Sequence, residues 1–90
     1  MEHNFQSKNE KKLYTIIRMM KGYNLQKEHA NLSLSKDKKD SSAYFRLKDA
    51  ESELKLWDKK LRELLLETEE LMSKEEFKEL KIRLRSYREE

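Results

Sequence analysis

Eight positions in the middle of this chain recur at alternating spacings of three and four: Leu47, Ala50, Leu54, Trp57, Leu61, Leu64, Thr68 and Leu71. An α-helix turns about 100° per residue, so all eight fall on one side of it. They form an a/d stripe almost four heptads long. A strand alternates every second residue and would scatter them over both faces. Leu65 and Met72 each follow a d position and widen the stripe. That width suits a bundle core better than a narrow two-stranded seam. The spacing predicts a helix over about 42–72, roughly 45 Å long. Asp40, Ser41 and Ser42 precede it and can cap its start. Glu51–Lys55, Asp58–Arg62 and Glu70–Lys74 stand at the supporting i,i+4 spacing.

Composition points the same way. Ile16, Ile17, Ile82, Thr15 and Thr68 are the only β-branched residues, and 14 of the apolar side chains are Leu. Strands draw on Val, Ile, Thr and aromatics, whereas Leu, Lys, Glu and Arg lose little rotamer freedom in a helix. No proline imposes a break. The chain reads as all-α.

The stripe resets near Ser73, because continuing it would bury Glu75 and Lys78. Phe77, Leu80, Leu84 and Tyr87 begin a new frame, and Ser73-Lys74-Glu75-Glu76 has the capping-box form. The expected third helix covers about 74–88, with one kinked helix through Ser73 as the competing reading. In the first half, Leu13, Ile16, Ile17, Met20 and Tyr23 mark a helix face. Gly22 either stops this helix or is tolerated inside it at about 1 kcal/mol relative to Ala. Leu25, Ala30 and Leu32 are compatible with its continuation to about residue 30. Residues 1–7 read as a frayed tail. Residues 31–41 read as a linker, since their charges leave no apolar face to bury. Residues 1–90 form one expected domain, either a helical hairpin or a small three-helix bundle with a long central helix.

Several function classes drop out. The longest apolar runs are the triplets Ala43-Tyr44-Phe45 and Leu64-Leu65-Leu66, far short of the ~20 residues of a membrane span. There is no cysteine, and Gly22 is the sole glycine, so thiolate metal sites and phosphate-cradling loops are absent. The first residues hold no apolar signal core, so a cytoplasmic location is expected. A membrane-surface role would need the first helix's apolar face, which the core itself requires. His3 sits in the tail, and His29 has no Glu or His at ligand spacing, so no metal or cofactor is expected. Glu67, Glu69, Glu70, Glu75 and Glu76 cluster on a solvated helix end. Paired acids need burial or a close neighbour to divide acid and base roles between them. No catalytic residue emerges, and the chain reads as non-enzymatic.

Binding remains. In a parallel dimer Arg46 would meet Glu51 favourably, but Glu53 would meet Asp58 unfavourably. No code for a parallel homodimer results, and antiparallel packing fits better. The expected activity is a helical interaction module that binds another protein, or a second copy of itself, as a small regulator or inhibitor. Its candidate contacts are Leu56, Trp57, Leu65, Leu66 and Met72. Leu56 and Leu66 fall at outward c and f positions, and Trp57 is either core packing or an interface hot spot.

The alternative partner is nucleic acid. Residues 1–40 hold nine Lys and Arg against five acids, within a chain of net charge +3. The candidate contacts there are Lys8, Lys11, Lys12, Arg18 and Lys21. Lys8, Lys11, Lys12 and Arg18 share a helix arc of roughly 120° that is expected opposite the Ile16/Met20 face. Such a side would give salt-sensitive, sequence-independent affinity for phosphates. A helix-turn-helix over 13–48 fails, because its recognition helix would start in the charged run Lys36 to Asp40.

Overall fold

The computed structural model describes residues 4–90; Met1–His3, which carry His3 and the start of the expected tail, lie outside the described residues. Three helices follow: α1 Lys8–Lys36, α2 Ser41–Glu70 and α3 Lys74–Glu89. No strand occurs among the described residues. The fold is all-α, a small three-helix bundle.

α1 and α2 form a long antiparallel hairpin. Asn9 near the start of α1 donates from Nδ2 to Thr68 Oγ1 near the end of α2 at 3.2 Å. Gln26 further along α1 donates from Nε2 to the Arg46 carbonyl at 3.0 Å. α3 folds back beside the first half of this hairpin. It is 16 residues long against 29 and 30 for its neighbours, about 24 Å against roughly 45 Å. The molecule is therefore elongated, 52 × 26 × 17 Å.

The core sits where all three helices overlap. Leu13, Ile16 and Ile17 of α1 meet Leu61 of α2 and Leu80, Leu84 and Tyr87 of α3. Beyond the end of α3 the hairpin closes on small residues instead. Ala30, Ala43 and Ala50 are completely buried, which lets two helices approach without a third layer.

Each helix begins as local chemistry dictates. Ser7 caps α1, accepting from the Glu10 N–H at 3.1 Å. Asp40 caps α2, accepting from the Ala43 N–H at 3.1 Å. Ser73 and Glu76 form the reciprocal capping box of α3. The turn at Ser73 is thus present, and the chain reverses rather than continuing as one kinked helix.

Three expectations need correction. α1 does not end near residue 30. It runs unbroken through Gly22 to Lys36, and the connection shrinks from 31–41 to 37–40. The charges of the expected linker begin only at Lys36, and the stretch before them contains nothing that breaks a helix and half-buries Ser33 and Leu34. The stop comes at Asp37, whose carboxylate accepts from the Lys39 N–H at 3.0 Å. The described part of the expected tail is not frayed: Phe5 packs its ring 5.2 Å from Tyr14 and 6.1 Å from Tyr87. Leu71, the last residue of the heptad stripe, is 73% exposed because α2 ends at Glu70.

Candidate functional site

The long stripe of α2 faces α1, as its width requires. Ala50, Leu61 and Thr68 are buried on it. Trp57, Leu64, Leu65 and Met72 are partly buried and pack against the core. Of the five expected protein contacts, Trp57, Leu65 and Met72 are thus engaged by the molecule itself. Leu56 and Leu66 are 46% and 64% exposed. They stand ten residues apart, which turns them about 80° away from each other around α2. They do not form one surface with the other three.

Trp57 keeps an accessible edge. Its indole N–H donates to Glu53 Oε2 at 3.2 Å. The Lys60 ammonium sits 4.4 Å from the ring centroid, close enough for cation–π attraction. Beside it a cleft of about 370 Å³ runs between α1 and α2. Ile16, Met19, Trp57 and Leu64 give it apolar walls, Thr15 joins them, and Lys11 and Lys12 stand at its rim. Lys12, Ile16 and Met19 come from one side of α1 through spacings of four and three. The cleft therefore joins two groups that the sequence offered to different partners: Trp57 from the protein-contact set, and Lys11 and Lys12 from the nucleic-acid set.

The remaining basic candidates are dispersed. Lys8 is exposed at the start of α1, and Arg18 is exposed further along. Lys21 lines a different cleft, with Met20, Leu25 and Leu61. It stands nine residues from Lys12, half a turn round the helix. The expectation that the basic arc lies opposite Ile16 is corrected too, since Lys11 and Lys12 flank Ile16 in the same cleft. A side chain four residues on lies directly above its predecessor, and at Lys12 and Ile16 that proximity outweighs the arc's average direction.

A buried polar cluster escaped the sequence reading. Glu10 is completely buried. Arg83 donates from Nε to its Oε2 at 3.0 Å and from Nη2 to its Oε1 at 2.9 Å. Tyr87 donates its hydroxyl proton to Oε2 at 2.6 Å, and the Gln6 N–H donates to Oε1 at 3.4 Å. Burial pushes the Glu10 carboxyl up, but the bonds from Arg83 and Tyr87 and the Arg83 charge outweigh it, so it lies below its ordinary value. Burial, then the bond to Glu10, pushes the Tyr87 hydroxyl up to about 12. The Arg83 guanidinium is held more firmly charged by its bond to Glu10. Every carboxylate oxygen here is engaged and none faces solvent, so this cluster clamps α3 onto α1 rather than meeting a substrate. Its signal was legible: Glu10 lies three before Leu13 and seven before Ile17, and Arg83 lies between Leu80 and Tyr87. Both are in register with apolar faces.

The expected solvated groups are solvated. His29 is exposed, as are Glu67, Glu69, Glu70, Glu75 and Glu76. Among the described residues no three metal-ligating side chains cluster, and no helix is long and apolar enough to cross a membrane. No protein-family model, curated protein or solved structure matches this chain.

Proposed function

We propose that this chain is a non-enzymatic helical interaction module whose cleft at Trp57 binds an acidic amphipathic helix of another protein. One observation carries the reading: an apolar-walled cleft rimmed by cations, with an aromatic anchor at its edge. Apolar walls reward a partner that brings apolar side chains to be shielded from water. Lys11 and Lys12 reward carboxylates flanking those side chains and disfavour a basic competitor. A helix laid into a groove satisfies both demands with anchors on one face. A phosphate backbone would use the lysines but leave Ile16, Met19 and Leu64 without a role. Binding of this kind suits a small regulator or inhibitor that acts by occupying its target's helix.

Trp57 is the sole tryptophan of the chain, so its emission reports on the cleft. The probe is a synthetic amphipathic helix with a leucine face flanked by glutamates; its counterpart carries lysines instead. The glutamate peptide should shift Trp57 emission to the blue, and the lysine peptide should not. Lys11→Glu with Lys12→Glu should weaken binding about tenfold, and added salt should weaken it as well. Equal responses to both peptides, or none to either, would overturn the proposal. Binding of a DNA duplex at low salt, lost in the same double variant, would transfer the cleft to nucleic acid.

A further inference from the structure

A second cleft, of about 460 Å³, opens where α3 stops, with Arg88 of its last turn on the rim. Met20, Leu25 and Leu61 line it, and its charges are mixed: Lys21 and Arg88 against Glu28 and Asp58. The charged residues that line the Trp57 cleft, Lys11 and Lys12, are both cations, which favours a partner of opposite sign. This one carries both signs, as a self-complementary surface must.

The order of residues along α1 is more specific. Lys21, Leu25, Glu28 and Leu32 follow at spacings of four, three and four, which keeps them on one side of the helix. Leu25 is 49% exposed and Leu32 is 60% exposed. Neither Lys21 nor Glu28 enters an ion pair among the described residues. Laid parallel on a copy of itself, this strip would set Lys21 against Lys21. Reversed end for end about Leu25, it sets each Lys21 against the other copy's Glu28.

We propose that a second copy of this chain seats on this strip, the two α1 helices antiparallel about a two-fold axis at Leu25. The two leucines meet at the axis, a Lys21–Glu28 pair flanks them on each side, and Leu32 is covered by the partner's helix. The partner's Arg18 has its aliphatic stem to lay over Leu32. The contact is short: Lys21 to Leu32 spans about 16 Å of helix. Interfaces at the small end of the range are weak, so the dimer forms with rising concentration. This inference rests on reading the chain as an interaction module, but it uses a different face from the Trp57 cleft.

Light scattering on the intact chain should show mass rising from monomer to dimer with concentration. Leu25→Glu should abolish the rise while circular dichroism stays unchanged, since Leu25 is half-exposed. Lys21→Glu and Glu28→Lys should each raise the dissociation constant about tenfold, and the two together should restore it. A monomer at every concentration, a dimer that survives Leu25→Glu, or a double variant no better than the single ones would overturn the proposal. Peptide binding by the Leu25→Glu monomer tests the Trp57 cleft separately, so either surface can fail alone.

Discussion

Glu10 is the residue with the largest consequence for its size. A carboxylate taken wholly out of water is tolerated because Arg83 and Tyr87 supply three hydrogen bonds to it, and buried charges persist only when so paired. Removing the acid leaves Arg83 able to turn toward water, since its side chain is 27% exposed. Glu10→Gln should therefore cost about 2 kcal/mol at neutral pH. The pH dependence is more diagnostic. The folded-state value of Glu10 lies below the ordinary 4.5, so its stabilisation is complete above that pH and is lost as pH falls through the lower folded value. Urea titrations from neutral to acid pH should show a steep loss in the wild type and a flatter one in Glu10→Gln. Equal slopes would mean that the clamp contributes nothing.

At the scale of the helix, α1 shows how propensity and packing divide the work. Gly22 sits in the middle of it, with no positive φ and with nothing within 4 Å of where a Cβ would stand. The glycine has no conformational task at this position and only widens the unfolded ensemble. Gly22→Ala should stabilise the protein by about 1 kcal/mol, raising the melting temperature by roughly 5 °C for a domain of this size. A thermal melt that does not rise would show that α1 gains from bending there. The same helix continues to Lys36 because Ala30 is buried against α2 and Ser33 and Leu34 are half-buried beyond it, which outweighs the modest helix propensity of Asn31, Ser33 and Ser35.

The whole molecule is unevenly stable by construction. Three layers overlap around Leu13, Leu61 and Leu80, while only two cover the stretch around Ala30, Ala43 and Ala50. Local opening follows the density of buried contacts. Hydrogen exchange at low protein concentration should therefore show strong amide protection near Ile16 and Leu61, and weaker protection near Leu32 and Leu47. Uniform protection along α1 would contradict this gradient. Raising the concentration should protect the residues around Leu25 selectively, as a dimer on that strip requires.

Periodicity, composition and caps by themselves determined the helical class and the inward face of α2, and offered Ser73 as a cap without deciding between a reversal and a kinked helix there. These depend on spacing along a single helix, which is a local property. The pairing of faces was decided only in three dimensions. Glu10 meets Arg83 across 73 residues of chain. Lys12 shares a cleft with Trp57, and Lys21 turns away into another. Leu65 and Met72 could not be assigned to core or partner surface until the three helices were known to meet in one core, against which both pack. A helix displays a residue at a known angle, but which neighbour occupies that angle depends on how far each helix runs and where the third one stops.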